Sequence, residues 1–322
     1  MKRITIISPC YNEANNVRSC YEAIRDLFAG PLAGYEREHI FADNSSTDNT
    51  VDILREIAKD DPCVKIIVNA RNVGPLRSTF NALKASSGDA TVVMMAVDLQ
   101  DPPELIVEFV KRWEEGHKVV QGVRVQRDEG AIMSTTRWLY YRMVKRLANI
   151  DIPTDVGEFQ LIDRQVSDAV TSFDDHNPYI RGLIAYTGFR PYSIPYVWRA
   201  RRRGVSKNRL LALIDIGLNG MLGFTKAPIR LLTATGLLLA AASVIYAVAN
   251  LVFLVVHGTS SIQSGIPTLI VALFFFSGIQ LFFLGILGEY IAAIHQQVRF
   301  GSKVIESERI NFPSASSKPK AG

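Results

Sequence analysis

Asp98 and Gln100 stand two residues apart at the end of an apolar run, residues 90–97, within the stretch Met94-Met95-Ala96-Val97-Asp98-Leu99-Gln100-Asp101-Pro102-Pro103-Glu104. A run of this length predicts a buried strand, and the proline pair predicts the opening of a helix. On an extended backbone residues i and i+2 project to the same side, so both side chains can address one object. A carboxylate and an amide oxygen suit a hard divalent cation, Mg²⁺ or Mn²⁺, which completes its octahedron with water and substrate phosphate. A plainer reading also fits: Asp98 ends a strand and Asp101 caps the next helix. The stretch by itself decides neither.

The elements that would position these residues follow from the rest of the chain. At 322 residues there is room for about two domains. Lys and Arg number 36 against 31 acids, and the excess is local. Residues 199–230 hold Arg199, Arg201, Arg202, Arg203, Lys207, Arg209, Lys226 and Arg230, with Asp215 as the one acid. Beside an apolar run, such a block predicts contact with phosphate or an anionic membrane surface and no nucleic-acid partner, because stacking and groove-reading modules are not evident. Cys10, Cys20 and Cys63 make an odd number in a long chain without a signal-peptide pattern, which predicts reduced thiols in the cytoplasm.

Two uncharged runs, residues 231–256 and 266–288, follow the basic block. The first would extend about 39 Å as a helix, enough to cross a hydrocarbon core of about 30 Å with tilt. Lys226 and Arg230 precede the pair, Arg299 and Lys303 follow it, and residues 257–265 between the runs carry no Lys or Arg. The positive-inside rule then puts both flanks on the cytoplasmic side of a two-span hairpin. The expected organisation is a cytoplasmic catalytic domain over residues 1–208, an interfacial amphipathic helix over 209–229, the two spans within 230–295, and a cytoplasmic tail over 296–322 that ends in disorder.

Within the first domain, strands expected at 4–8, 39–42, 64–68, 90–97 and 118–123 alternate with helices expected at 14–28, 50–59, 76–85 and 104–113. This alternation predicts an α/β domain with a mainly parallel, doubly wound sheet. Ligands of such sheets bind beyond the carboxyl ends of the strands, where Asn12, Glu13, Asp43 and Asp98 fall. A dinucleotide fingerprint is excluded: the first strand–helix turn reads Pro9-Cys10-Tyr11-Asn12-Glu13-Ala14-Asn15, without the glycines that admit a pyrophosphate.

Taken together, Ser8-Pro9-Cys10-Tyr11-Asn12-Glu13, Asp43-Asn44-Ser45-Ser46-Thr47-Asp48, Arg71-Asn72-Val73-Gly74, Ser87-Gly88-Asp89 and Asp98-Leu99-Gln100-Asp101-Pro102-Pro103-Glu104 resemble the ordered motifs of family 2 glycosyltransferases. Asp155-Val156-Gly157-Glu158-Phe159-Gln160-Leu161, Arg201-Arg202-Arg203-Gly204-Val205-Ser206-Lys207 and Leu287-Gly288-Glu289-Tyr290-Ile291 extend the resemblance to the polyprenyl-phosphate branch of that family. The resemblance implies a Rossmann-like GT-A fold and inverting transfer of a monosaccharide from a nucleotide-diphosphate sugar to polyprenyl phosphate, undecaprenyl phosphate in a bacterial inner membrane. A homo-oligomer is implied as well. A different lipid acceptor such as diacylglycerol, or a non-catalytic nucleotide-sugar-binding scaffold, are the other readings.

By that resemblance Pro9, Tyr11, Asn12, Glu13, Asp43, Arg71 and Asp98 line the donor site, with Asp43 on the nucleobase. Asp98 and Gln100 hold the metal, and Arg201, Ser206 and Lys207 hold phosphate, the guanidinium in bidentate fashion. Asp155 is the candidate base or acceptor-orienting group, with Glu158 beside it. Two departures stand out. The family's frequent Asp-Asp pair is Asp43-Asn44 here, and the first acid of its D-x-D-x-Q pattern is Ala96. The Q-x-x-R-W motif of processive members is also missing its Gln, since residues 134–138 read Ser-Thr-Thr-Arg-Trp.

Overall fold

The computed structural model describes residues 1–125, 156–199, 227–257, 266–300 and 303–313. The chain begins β1 (Arg3–Cys10), α1 (Val17–Ala29), β2 (Glu36–Asp43), α2 (Thr50–Asp60), β3 (Val64–Asn69), α3 (Pro75–Ala85), β4 (Ala90–Val93), α4 (Leu105–Glu114) and β5 (Val119–Arg124). It continues β6 (Val156–Asp163), α5 (Arg164–Ser172), α6 (Ile180–Tyr186) and β7 (Pro191–Tyr196), then two long apolar helices, α7 (Ala227–His257) and α8 (Ile266–Phe300), and a last strand, β8 (Glu306–Ile310).

Among the described residues the strands form one eight-stranded sheet in the order β7-β5-β6-β4-β1-β2-β3-β8. The block β4-β1-β2-β3 is parallel, as the alternation of strands and helices requires. β5 and β7 also pair in parallel, and the expectation of a mainly parallel sheet is met only in part, because the sheet is mixed. β6 inserts antiparallel between β4 and β5, and β8 closes the far edge antiparallel to β3. Local periodicity reports which faces of a strand are buried and says nothing of which neighbour it meets.

Two faces of the sheet are covered. Ile4, Ile6, Val92 and Leu161 meet α1 and α4 on one side, where the Phe109 and Phe159 rings lie 5.0 Å apart. Ile7, Ile40, Ile67 and Val93 meet α3, α5 and α6 on the other. The successive residues Ile6 and Ile7 therefore serve opposite faces, the period of two expected for a strand buried on both sides. Burying one such side chain contributes about 1.5–3 kcal/mol.

β1 runs through Pro9, where the sequence suggested a break, with Pro9 paired to Ala42 and Cys10 to Asp43. Ile7 and Pro9 project their main-chain groups toward β4, whose ladder with β1 covers only Ile4 to Ile6, so no partner asks Pro9 for an N–H. At the amino ends of the strands the Ser87-Gly88-Asp89 turn clips the sheet. Asp89 accepts the Arg3 N–H at 2.7 Å, and the Gly88 N–H donates to Thr5 Oγ1 at 2.9 Å. A Cβ on Gly88 would lie 2.6 Å from both Thr5 Oγ1 and the Ala90 carbonyl.

Residues 306–310, expected in a tail beyond the membrane segment, supply β8. Arg55 pairs with Glu308 at 2.6 Å, and Asn311 Nδ2 donates to the Ala58 and Val64 carbonyls at 2.8 and 2.9 Å. Gly88→Ala is expected to lower the unfolding free energy by about 3 kcal/mol through backbone overpacking. Gly34→Ala, with nothing within 4 Å of the added Cβ, should leave stability nearly unchanged. Equal denaturant midpoints for the two variants would contradict the assignment.

Candidate functional site

The stretch that ends β4 is a turn. The expectation of a strand over residues 90–97 is corrected, because β4 stops at Val93 and Met94 adopts φ 54°. The Met95 N–H then recovers the Ile7 carbonyl at 2.8 Å. The Leu99 N–H closes back on the Ala96 carbonyl at 3.1 Å, with Leu99 itself at φ 56°. A branched residue holds left-handed backbone only where packing imposes it, and Leu99 packs against two of the core clusters. Asp98 and Gln100 are thus brought together by a turn and not by the strand pleat. Asp98 Oδ1 accepts the Gln100 N–H at 3.2 Å. Gln100 also exchanges hydrogen bonds with the Arg199 main chain, receiving its N–H at 3.0 Å and donating side-chain Nε2 to its carbonyl at 3.4 Å.

Next to this turn, the loops after β1 and β2 are laced together. The Asn12 N–H donates to Ser46 Oγ at 2.9 Å, and Asn12 Oδ1 accepts the Thr47 N–H at 2.7 Å. The Glu13 N–H donates to Thr50 Oγ1 at 2.9 Å, and Asp48 accepts the Ala14 N–H at 3.3 Å. Asp43 is fully buried, accepts the Ser46 N–H at 2.9 Å and takes the Ser46 hydroxyl as well. Burial pushes its carboxyl above the usual range against those hydrogen bonds.

Asn44 has a structural explanation. Its Nδ2 donates to Asn72 Oδ1 at 2.9 Å, and its Oδ1 accepts the Val73 N–H at 2.9 Å and Asn69 Nδ2 at 3.3 Å. An ionised aspartate could not supply the first of these bonds. Asn44 therefore fastens the loop that presents exposed Arg71.

Beyond the Asp98 turn lies a cavity of about 290 Å³, lined by Ala96, Asp101, Arg124, Glu158 and Arg181 among others. Its wall is a buried polar triad. Arg124 donates to Asp101 at 3.2 Å and to Tyr196 Oη at 3.0 Å, while the Tyr196 hydroxyl donates to Asp101. Asp101, 3% exposed, is held in this triad and does not cap α4, whose cap position is Glu104. The Arg124 guanidinium also stacks 4.8 Å from the Trp198 ring. Gly122 makes the triad possible, since a Cβ there would lie 2.7 Å from the Tyr196 ring.

Across the cavity Glu158 keeps one carboxylate oxygen, Oε2, buried without a hydrogen-bond partner. Desolvation pushes its pKa up, opposed by Arg181 and Arg124. Arg181 donates to the Val156 carbonyl, and its Nε donates to Tyr179 Oη at 2.8 Å. The position left by Ala96 opens into the same cavity.

Of the expected site residues, the described structure thus groups Asn12, Glu13 and Asp43 in one loop pair, Asp98 and Gln100 in the turn, and Glu158 in the cavity. Asp155, Arg201, Ser206 and Lys207, residues 134–138, and residues 209–226 of the expected interfacial helix lie outside the described residues, while residues 227–229 open α7. Sequence reasoning missed Arg124, Arg181 and Tyr196. Arg124 carried a usable signal, a charge ending the apolar strand Val119–Arg124, the pattern that singled out Asp43 and Asp98.

No group of three or more His, Cys, Asp or Glu that could hold a metal occurs among the described residues. Asp98 and Gln100 together fit a cation that takes one carboxylate, one amide oxygen, water and substrate phosphate, the coordination habit of Mg²⁺ and Mn²⁺.

Comparison with known proteins places these observations. The family model described as Glycosyl transferase family 2 matches residues 5–171. The uncharacterized glycosyltransferase YkcC of Bacillus subtilis is 34% identical over 92% of this chain and 90% of its own length. The SfII prophage-derived bactoprenol glucosyl transferase of Shigella flexneri is 31% identical over 94% of this chain and 97% of its own. Among solved structures, glucosyl-3-phosphoglycerate synthase from Mycobacterium tuberculosis aligns over 70% of this chain and 81% of that one, at 20% identity and a TM-score of 0.47. At those values it bears on neither ligand nor reaction.

The buried Glu158 carboxyl gives a pH signature. Its pKa is raised in the folded protein, so the native state binds the extra proton, and native stability falls as pH rises from the ordinary carboxylate range through the raised value. Glu158→Gln removes this loss. The melting-temperature difference, variant minus native, is expected to be more positive at pH 8 than at pH 4, and a flat difference would overturn the assignment.

Proposed function

The chain belongs to glycosyl transferase family 2, and from that premise we propose that it moves a monosaccharide, with inversion, from a nucleotide-diphosphate sugar to polyprenyl phosphate on the cytoplasmic face of a membrane. The observation that carries this reading is the cavity in which Glu158, with one unsatisfied buried oxygen, faces Arg124 and Arg181 at the carboxyl end of the sheet. The acceptor class is supported by relatives named bactoprenol glucosyl transferase, which align along nearly the whole chain, apolar helices included.

Transfer is a single displacement. An acceptor phosphate oxygen forms the new bond to the anomeric carbon while the bond to the nucleoside diphosphate breaks, and that group leaves with the electron pair. A phosphate monoester has its second pKa near about 6, so the acceptor is largely dianionic at neutral pH and needs little help from a base. Asp155 and Glu158 then orient it or take up a residual proton. Arg124 and Arg181 offset phosphate charge in a partly dry cavity, with Arg201, Ser206 and Lys207 as further phosphate ligands. Pro9, Tyr11, Asn12, Glu13, Asp43 and Arg71 form the donor platform. Asp98 and Gln100 would hold a divalent cation, which supplies charge neutralisation for the departing diphosphate.

One described helix segment, Ala272–Arg299 in α8, is long and apolar enough to cross a membrane, and none of its most apolar stretch is buried. β8 follows α8 and pairs with β3, in the same sheet as β1 and β2. The chain before α7 and the chain after α8 must then lie on one side of the bilayer, so a crossing by α8 requires a return crossing, for which α7 is available. This supports two spans, with the catalytic domain and the C-terminus in the cytoplasm.

Purified full-length protein in lipid nanodiscs, given a panel of nucleotide sugars with Mg²⁺ or Mn²⁺, is expected to glycosylate undecaprenyl phosphate and not diacylglycerol. Glu158→Gln should lower kcat by about 100-fold, the scale of a misplaced acceptor. Transfer to diacylglycerol alone, or donor binding without turnover over the whole panel, would refute the proposal. Ala96→Asp is expected to tighten Mn²⁺ binding by about tenfold in a direct titration. Unchanged affinity would remove the metal role of this turn.

A further inference from the structure

The cytoplasmic end of α8 is fastened to a loop remote in sequence. Gln297 Oε1 accepts the His176 N–H at 2.7 Å, and its Nε2 donates to the Asp174 carbonyl. Gln296 Oε1 accepts Asn177 Nδ2 at 3.1 Å. One glutamine thus satisfies a donor and an acceptor of the loop main chain at once, and its neighbour holds a side chain one residue on. Glutamine is suited to this task because its amide carries both functions on one rigid plane.

The loop leads directly into the cavity. Two residues after Asn177 comes Tyr179, whose hydroxyl accepts Arg181 Nε at 2.8 Å and whose ring lies 5.1 Å from the Arg181 guanidinium. Arg181 in turn donates to the Val156 carbonyl and lines the cavity with Glu158. Behind them, Ile180, Leu183 and Ile184 are buried with Val166 and Val170 in the core, which makes α6 a stiff carrier. The run from α8 to Glu158 therefore passes by hydrogen bonds between Gln297 and the 174–177 loop, then along two residues of chain to Tyr179. Hydrogen bonds between Tyr179 and Arg181 and between Arg181 and the Val156 carbonyl carry it on, and the chain leads from there to Glu158.

We propose that Gln297, aided by Gln296, is a positioning residue that couples the membrane-side helix α8 to Arg181 and Glu158 through the 174–179 loop. Neither glutamine touches the cavity, and the effect on transfer runs through the loop. The coupling rests on the reading of the cavity as the site of transfer, whereas the physical tie does not. A consequence is that the apolar helix does more than anchor the domain. Its axial rotation or translation in the bilayer would change how Arg181 meets the acceptor phosphate.

The test uses the full-length chain in nanodiscs. Hydrogen exchange of the amides in residues 156–159 and 178–184 is expected to rise by about tenfold in Gln296→Ala/Gln297→Ala, the scale of losing two or three hydrogen bonds. Exchange in β1, β2 and β3 should stay as in the native protein. With undecaprenyl phosphate as acceptor, kcat should fall by a similar factor, with the donor KM within about twofold of native. Gln297→Glu keeps the acceptor for the His176 N–H and loses the donor to Asp174, so it should recover part of both effects. Faster exchange confined to residues 174–177, or spread evenly through the sheet, would overturn the tie. Altered exchange at 156–159 with unaltered turnover would overturn the coupling. Absence of transfer by the native protein would instead refute the proposed reaction and leave the exchange result to judge the tie.

Discussion

The triad of Asp101, Arg124 and Tyr196 is the constraint on which the site depends. It joins the turn after β4, the end of β5 and the end of β7, and it does so with a buried carboxylate whose charge is met by a guanidinium and a hydroxyl. A buried charge left without its partner is strongly destabilising, so each member enforces the position of the others. The close approach of Gly157 to Arg124 extends the constraint to β6, because a Cβ there would lie 3.1 Å from the guanidinium. Four strands that are distant in sequence are thereby held in one register at their functional ends.

The two ends of the sheet treat buried acids in opposite ways. At the amino end Glu38, 2% exposed, is surrounded by Thr5, Lys65 and Ser87, and these partners hold its carboxyl below the usual range despite burial. Both Glu38 carboxylate oxygens are spent on the protein itself, and Gly88 is needed so that the clip can close. At the carboxyl end Glu158 keeps an unpaired oxygen, and burial pushes its pKa upward. An unsatisfied buried oxygen leaves room for a donor from a ligand, and its place accords with the rule that α/β sheets bind ligands beyond the carboxyl ends of their strands.

The apolar helix α8 is tied to the α/β domain at two places. β8 adds itself to β3 through main-chain pairing and the Arg55–Glu308 ion pair, and the Gln296 and Gln297 amides grip the loop before α6. Two attachments, one through β8 and one through the two glutamines, thus hold the end of α8 to the domain.

The sequence by itself determined the alternation of strands and helices, the two apolar segments, the ordered motifs, and the chemistry offered by Asp98, Gln100 and Glu158, because burial period, length and side-chain type are local properties. It also made the absent acid at position 96 visible. Only the tertiary structure decided that β6 enters antiparallel between β4 and β5, that the Asp98 stretch turns through left-handed Met94 and Leu99, and that Pro9 stays inside a strand. It also decided that Asn44 is a loop fastener, that Asp101 belongs to a triad with Arg124 and Tyr196, and that Arg181 reaches Glu158. Each of these depends on partners 23 or more residues away, such as Asp101 with Arg124 and Asn44 with Asn72, or on core packing that overrides the backbone preference of a single residue. Local pattern carries no record of such pairings, since it is three-dimensional closeness, and the need to satisfy each buried polar group, that selects them.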